Sequence, residues 1–152
     1  MAEGKVSKRE NRVLAIAIGV AVLTVAVYVG YLKIPRHVSG LCPEIWQADL
    51  CSALYRDEAL EATSVNFEGE ALEALIGKLD SLPLYPLPGR RSLDGSVTLK
   101  GYAVWSFYFR INGENAEVSV IVTNRGEVSV GKRVFETRTE DLEALLKGIS
   151  AE

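Results

Sequence analysis

One histidine, one methionine, one glutamine and two cysteines are spread over 152 residues, and this scarcity narrows the chemistry. His37, Cys42 and Cys51 make only three soft ligands, so a four-coordinate zinc site would need a carboxylate such as Glu44 or Asp49 to complete it. A Ser-His-Asp or Cys-His centre would have to be built on His37. That residue follows an apolar run in a short Pro- and Gly-punctuated stretch, where a solvated histidine is the simpler reading. No Gly-rich phosphate loop opens a helix, and neither G-x-S-x-G nor H-E-x-x-H occurs. Carboxylates are numerous, but Glu70, Glu73, Asp80, Glu140 and Glu143 fall on the polar faces of helical patterns. No cofactor, metal or catalytic residue is expected.

Charge is missing altogether from Val13 to Leu32, twenty consecutive residues. At 1.5 Å of rise per residue such a helix is ~30 Å long, the thickness of a bilayer's hydrocarbon core. A soluble core helix of that length would carry a polar stripe. Here the polar side chains are Thr24, Tyr28 and Tyr31, and the tyrosines stand where interfacial aromatics belong. A cleaved secretory signal has a shorter apolar core, about 7 to 15 residues, followed by small residues. Gly30-Tyr31-Leu32-Lys33-Ile34-Pro35 offers no such site, and Asn11-Arg12-Val13-Leu14 lacks the junction of a pilin-type leader. The expectation is a single uncleaved span through the lipid bilayer. Lys5, Lys8, Arg9 and Arg12 precede it while Lys33 and Arg36 follow, which places the N-terminus in the cytoplasm and the remainder outside. Ala15-x-x-x-Gly19 and Ala17-x-x-x-Ala21 would permit close helix pairing, although alanine and glycine are common in membrane helices anyway.

The organisation expected is a cytoplasmic tail (1–12), a transmembrane helix (13–32), a juxtamembrane neck (33–41) and an extracytoplasmic α+β domain (42–152). Residues 33–152 carry thirteen basic and eighteen acidic side chains, a balance that argues against nucleic acid as a partner. Both cysteines lie in this outer part, where an oxidising compartment would favour a Cys42–Cys51 disulfide. An uninterrupted helix would hold the two Cα atoms ~13 Å apart along its axis, against the about 4.4 to 6.8 Å a disulfide needs. Pairing therefore requires the chain between them to fold back.

Periodicity supplies the rest. Glu44–Leu60 is compatible with a helix, with Trp46, Leu50, Ala53 and Leu54 at i, i+4, i+7 and i+8. Ser64–Phe67 reads as a short strand. Glu70–Leu82 is an amphipathic helix with Leu72, Leu75, Ile76 and Leu79 on its apolar stripe, stopped by Pro83. Asp94-Gly95 is a turn. Val97, Leu99, Ala103, Trp105, Phe107, Phe109 and Ile111 alternate, with a bulge or break expected at Gly101. Asn112-Gly113 and Asn124-Arg125-Gly126 are turns between returning valine-rich strands. Thr137-x-x-Glu140 resembles a capping box before a last helix bearing Leu142, Leu145, Leu146 and Ile149. The fold expected is an antiparallel β-meander covered on one face by two or three helices.

Two surfaces are candidates for contact with a partner. One is the even face of the long strand, with Tyr102, Tyr108 and Arg110. The other is the loop carrying Pro86, Pro88, Arg90 and Arg91, which has P-x-x-P spacing beside a basic pair. The functional expectation is a membrane-anchored, non-enzymatic binding domain, an accessory subunit of a larger complex contacting other membrane or extracytoplasmic subunits. The alternatives are a tethered hydrolase or thiol-redox enzyme, or a component of a surface appendage. Cys-x8-Cys lacks the C-x-x-C spacing that tunes redox thiols.

Overall fold

The computed structural model describes residues 8–59, 61–90, 93 and 102–150. The chain forms two units, Met1–Ile34 and Pro35–Glu152. The first is helix α1 (Lys8–Lys33), long and apolar enough to cross a membrane. Its valines, leucines and isoleucines point outward on every side. The one hydroxyl in its middle, that of Thr24, donates to the carbonyl of Val20 at 2.8 Å and so satisfies itself within the helix.

The second unit is an α+β fold. Its elements are α2 (Val38–Leu41), a 3₁₀ turn (Pro43–Gln47), β1 (Ala48–Arg56), β2 (Ala62–Phe67), α3 (Gly69–Asp80), β3 (Tyr85–Pro86), β4 (Val104–Ile111), β5 (Glu114–Thr123), β6 (Glu127–Val130), β7 (Arg133–Glu136) and α4 (Thr139–Ser150). The strands form one sheet in the order β2-β1-β4-β5-β6-β7-β3, and every neighbouring pair is antiparallel. The meander β4–β7 is thus extended by the β1–β2 hairpin at one side and by two residues of β3 at the other.

Alternation assigns the faces. Cys51 and Ala53 of β1, Trp105, Phe107 and Phe109 of β4, Val120 and Val122 of β5, Val128 and Val130 of β6 and Phe135 of β7 share one side. They are buried in a single core with Leu72, Leu75, Ile76 and Leu79 of α3 and Leu142, Leu145 and Ile149 of α4. Tyr55, Trp105 and Phe107 stack in a row along it, with ring centroids 4.5 and 5.9 Å apart. Helices therefore cover one face, as the two leucine stripes require. On the opposite face, Ser106, Ile121, Ser129 and Val134 are also buried, so that side is not uniformly open to water.

Several expectations are corrected. Glu44–Leu60 is not a helix: Pro43–Gln47 is a 3₁₀ turn and Ala48–Arg56 is a strand. The helical spacing of Trp46, Leu50, Ala53 and Leu54 is outweighed by pairing on both sides, with β2 and β4, and Trp46 is 51% exposed. The disulfide is not formed; Cys42 and Cys51 are free thiols. Cys42 lies at the junction of α2 and the 3₁₀ turn, whereas Cys51 belongs to the core face of β1. The capping box fails too. Thr137 is buried, its N–H donates to the Gly126 carbonyl at 2.8 Å, and its hydroxyl has no partner among the described residues. After Asn124-Arg125-Gly126 the valine-rich sequence forms two strands, with Val128 and Val130 on β6 and Val134 on β7. Asp94-Gly95, Val97, Leu99, Gly101 and the candidate Arg91 lie outside the described residues.

Arg36, His37 and Ser39 are bonded into the second unit. Arg36 and Leu84 exchange backbone hydrogen bonds of 2.7 and 2.9 Å. The Ser39 N–H donates to Asp80 Oδ1 at 2.7 Å, and His37 Nδ1 lies 2.9 Å from the Asp80 carbonyl. The end of α3 is thereby fixed against Arg36–Ser39.

Candidate functional site: the outer face of the sheet

The face away from the helices carries the even-numbered residues of β4. From Val104 to Arg110 this strand runs about 20 Å, and it separates the candidate residues into two groups.

At one end, Arg110 grips Asp49. Its Nε donates to Oδ1 at 3.0 Å and its Nη2 to Oδ2 at 3.3 Å, a two-pronged pair. Asp49 reaches that position because the register shifts between Ala48 and Leu50, making it the extra residue of a bulge. The hydrogen bond from Arg110 lowers the Asp49 carboxyl below its ordinary value, and the same bond raises the Arg110 guanidinium. Next along β4, Tyr108 lies between Ser52 of β1 and Ser119 of β5 and is 42% exposed. Its small neighbours leave the phenol ring projecting from the sheet.

At the other end, Tyr102 meets Arg125. The guanidinium carbon sits 3.9 Å from the ring centroid, and Nη1 donates to the phenol oxygen at 3.0 Å, combining cation–π attraction with a hydrogen bond. Arg90 pairs with Glu127 at 3.2 Å. Leu87, Arg90, Tyr102, Arg125, Glu127 and Glu136 line a concavity of about 360 Å³. Arg125 and Glu136 also border a second hollow of about 560 Å³, with Tyr85, Thr137, Arg138, Thr139 and Glu140. The result is a charged trough of mixed sign along the β6–β7 side of the sheet.

The fold thus unites Tyr102 and Arg90 and keeps Tyr108 and Arg110 apart from them. Pro86 sits in β3 opposite Phe135, and Pro88 is exposed beyond it. Glu127 and Glu136 escaped sequence reading, and Asp49 entered it only as a carboxylate that could complete a zinc site. Arg125 was legible only as a turn residue. It reaches Tyr102 because the register shifts between Phe109 and Ile111, so that Val104 pairs with Thr123 and position 102 falls opposite 125.

The trough suits recognition of a polar, charged surface: guanidinium groups offer forked donors, carboxylates accept, and tyrosine rings give flat contact area. Among the described residues no cluster of His, Cys, Asp and Glu could hold a metal ion. Both thiols are held protonated. Burial and the nearby Glu44 push Cys42 up, and burial pushes Cys51 up to about 12. A thiolate nucleophile is disfavoured at either position. No protein-family model, curated protein or solved structure matches the chain.

Proposed function

We propose that this protein is a membrane-anchored, non-enzymatic binding domain whose α+β unit faces the extracytoplasmic side, acting as a small accessory subunit of a larger membrane complex. The observation that carries the reading is the outer sheet face, which offers a projecting Tyr108 at one end and a trough organised by the Tyr102–Arg125 stack at the other. Tyrosine and arginine supply most of the binding energy in many protein interfaces. The uncharged stretch Val13–Leu32 of α1 supports anchoring, and the basic residues ahead of that stretch support a cytoplasmic N-terminus. The raised thiols count against the redox alternative.

Purification from native membranes in mild detergent tests this. Wild-type chain should bring down a partner in fixed stoichiometry. Tyr108→Ala and Arg125→Ala should each lose it while the chain remains folded. A lone wild-type monomer, or partner retention by both variants, would overturn the assignment of the surface.

A further inference from the structure

The two edges of the sheet are built differently. At the β3 edge only Tyr85 and Pro86 pair with β7, and Pro86 has no N–H to offer a further strand; Pro88 follows two residues on. That edge is closed to strand addition. The β2 edge has none of these protections. Six consecutive residues, Ala62–Phe67, pair with β1 without a shift. They include no charge and no proline, and Ala62 to Asn66 are exposed. Among the described residues β2 has no partner on its outer side.

Backbone parity shows what this edge presents. The Asp57 N–H donates to the Glu61 carbonyl at 3.0 Å where the hairpin closes. In an antiparallel ladder, hydrogen-bonded pairs alternate with non-bonded ones. With the observed register, Tyr55–Thr63, Ala53–Val65 and Cys51–Phe67 are therefore the bonded pairs. The N–H and C=O groups of Ala62, Ser64 and Asn66 must point the other way, toward the open edge. Val65, 41% exposed on the helix-side face, would be covered by a neighbouring strand.

The ends of the strand decide what can add there. Asp57, Glu58 and Glu61 lie at one end and Glu68 and Glu70 at the other, with Arg56 the single basic residue between positions 56 and 70. A second copy pairing antiparallel about Ser64 would bring these acidic ends against each other, which like-charge repulsion opposes. Basic residues flanking an uncharged stretch would meet complementary charge at both ends. We propose that the outer edge of β2 accepts an added β-strand from a partner protein, an uncharged extended segment of about six residues flanked on both sides by Lys or Arg. The site uses backbone groups of an edge and is independent of Tyr108 and Arg125 on the outer face.

The test uses the full chain in nanodiscs of zwitterionic lipid. The probe is the peptide Lys-Arg-Thr-Val-Thr-Val-Thr-Val-Lys-Arg, and the control has the same core with Glu-Asp at both ends. Amide exchange should slow at least tenfold at Ala62, Ser64 and Asn66 on adding the basic peptide, with no comparable change at Thr63 and Val65. The basic peptide should bind at least tenfold more tightly than the acidic one, and salt should narrow the gap. Ser64→Pro removes a donor that β1 does not use, so it should abolish binding while leaving the hairpin intact; Ser64→Ala should bind normally. No protection at the three even positions at millimolar peptide, equal binding of the acidic control, or protection that grows with protein concentration alone would each overturn the proposal, the last in favour of a second copy. If Ser64→Pro does not fold, the parity of protection in the wild type decides by itself. Peptide binding retained by Tyr108→Ala separates this site from the outer-face reading.

Discussion

Trp105→Ala is the most informative single perturbation of the core. Trp105 is 7% exposed, stacked between Tyr55 and Phe107 on the helix-covered face. Truncation of a buried large aromatic costs about 3–5 kcal/mol, because the lost transfer energy and the residual cavity add. The rings on either side are held by strand pairing and cannot collapse far into the space. A domain has only about 5–15 kcal/mol in total. For a unit of this size each kcal/mol moves the midpoint by roughly 3–6 °C, so Tm should fall by about 10–25 °C. Tyr108→Ala, three residues along the same strand but projecting from the opposite face, should cost less than about 1 kcal/mol. Scanning calorimetry of the detergent-solubilised chain compares the two. Intrinsic fluorescence adds a check, since Trp46 is the only other tryptophan and is exposed. In a Trp46→Phe background, emission should be blue-shifted and should move to the red on unfolding. A Trp105→Ala protein within about 1 kcal/mol of wild type, or one no less stable than Tyr108→Ala, would refute the assignment of faces.

Four further outcomes follow from the geometry. Gly126 has φ +85, and an added Cβ would lie 2.7 Å from the Thr137 carbonyl oxygen; Gly126→Ala should therefore cost more in calorimetry than Gly113→Ala, which has a similar φ but open space and should lose about 1–2 kcal/mol. Burial raises Cys51 from 9.0 to about 12, so the unfolded chain releases that proton first; stability should decline as pH climbs through this window, and Cys51→Ala should flatten the decline measured by thermal melts. Asp49 is lowered by its bond from Arg110, so the pair should survive acidification until pH falls through that lowered value, and Arg110→Met should return the carboxyl toward 3.8, read by carbonyl NMR. In a Cys42→Ser, Cys51→Ala background, an impermeant maleimide should label Lys132→Cys but not Asn11→Cys in intact cells; a labelled Asn11→Cys would reverse the proposed orientation.

Local pattern foretold those elements whose pattern and environment agree. The leucine stripes of α3 and α4 and the alternation of Trp105, Phe107 and Phe109 each report a one-sided apolar environment, and all of them meet in one core. The turn at Asn112-Gly113 was equally readable, since both residues take positive φ, as a tight hairpin demands. β1 was not legible, because Trp46, Leu50, Ala53 and Leu54 fit a helix as well as Cys51, Ala53 and Tyr55 fit a strand. Pairing on both sides, with β2 and with the distant β4, resolves the ambiguity. The site suffered from the same blindness to distant pairing. Tyr102 and Arg110 could be placed on one face from parity alone, but the partners that give each its chemistry, Arg125 and Asp49, depend on two register irregularities that no local pattern encodes.

The insertion of β1 between β2 and β4 also sets an order of events during synthesis. β2 and α3 follow β1 closely in sequence, so the hairpin and its helix form from neighbouring chain. The other side of β1 needs Val104–Ile111, which emerge only after α3, β3 and the segment that follows them. Until then β1 keeps an unpaired flank, and the hydrophobic side of α3 has only part of its final contacts. β4 to β7 then arrive as consecutive hairpins with short loop closures, fast to form once available. Completion of the fold waits on a late, long-range pairing, and the nascent chain is most open to misassociation in the interval before β4 appears.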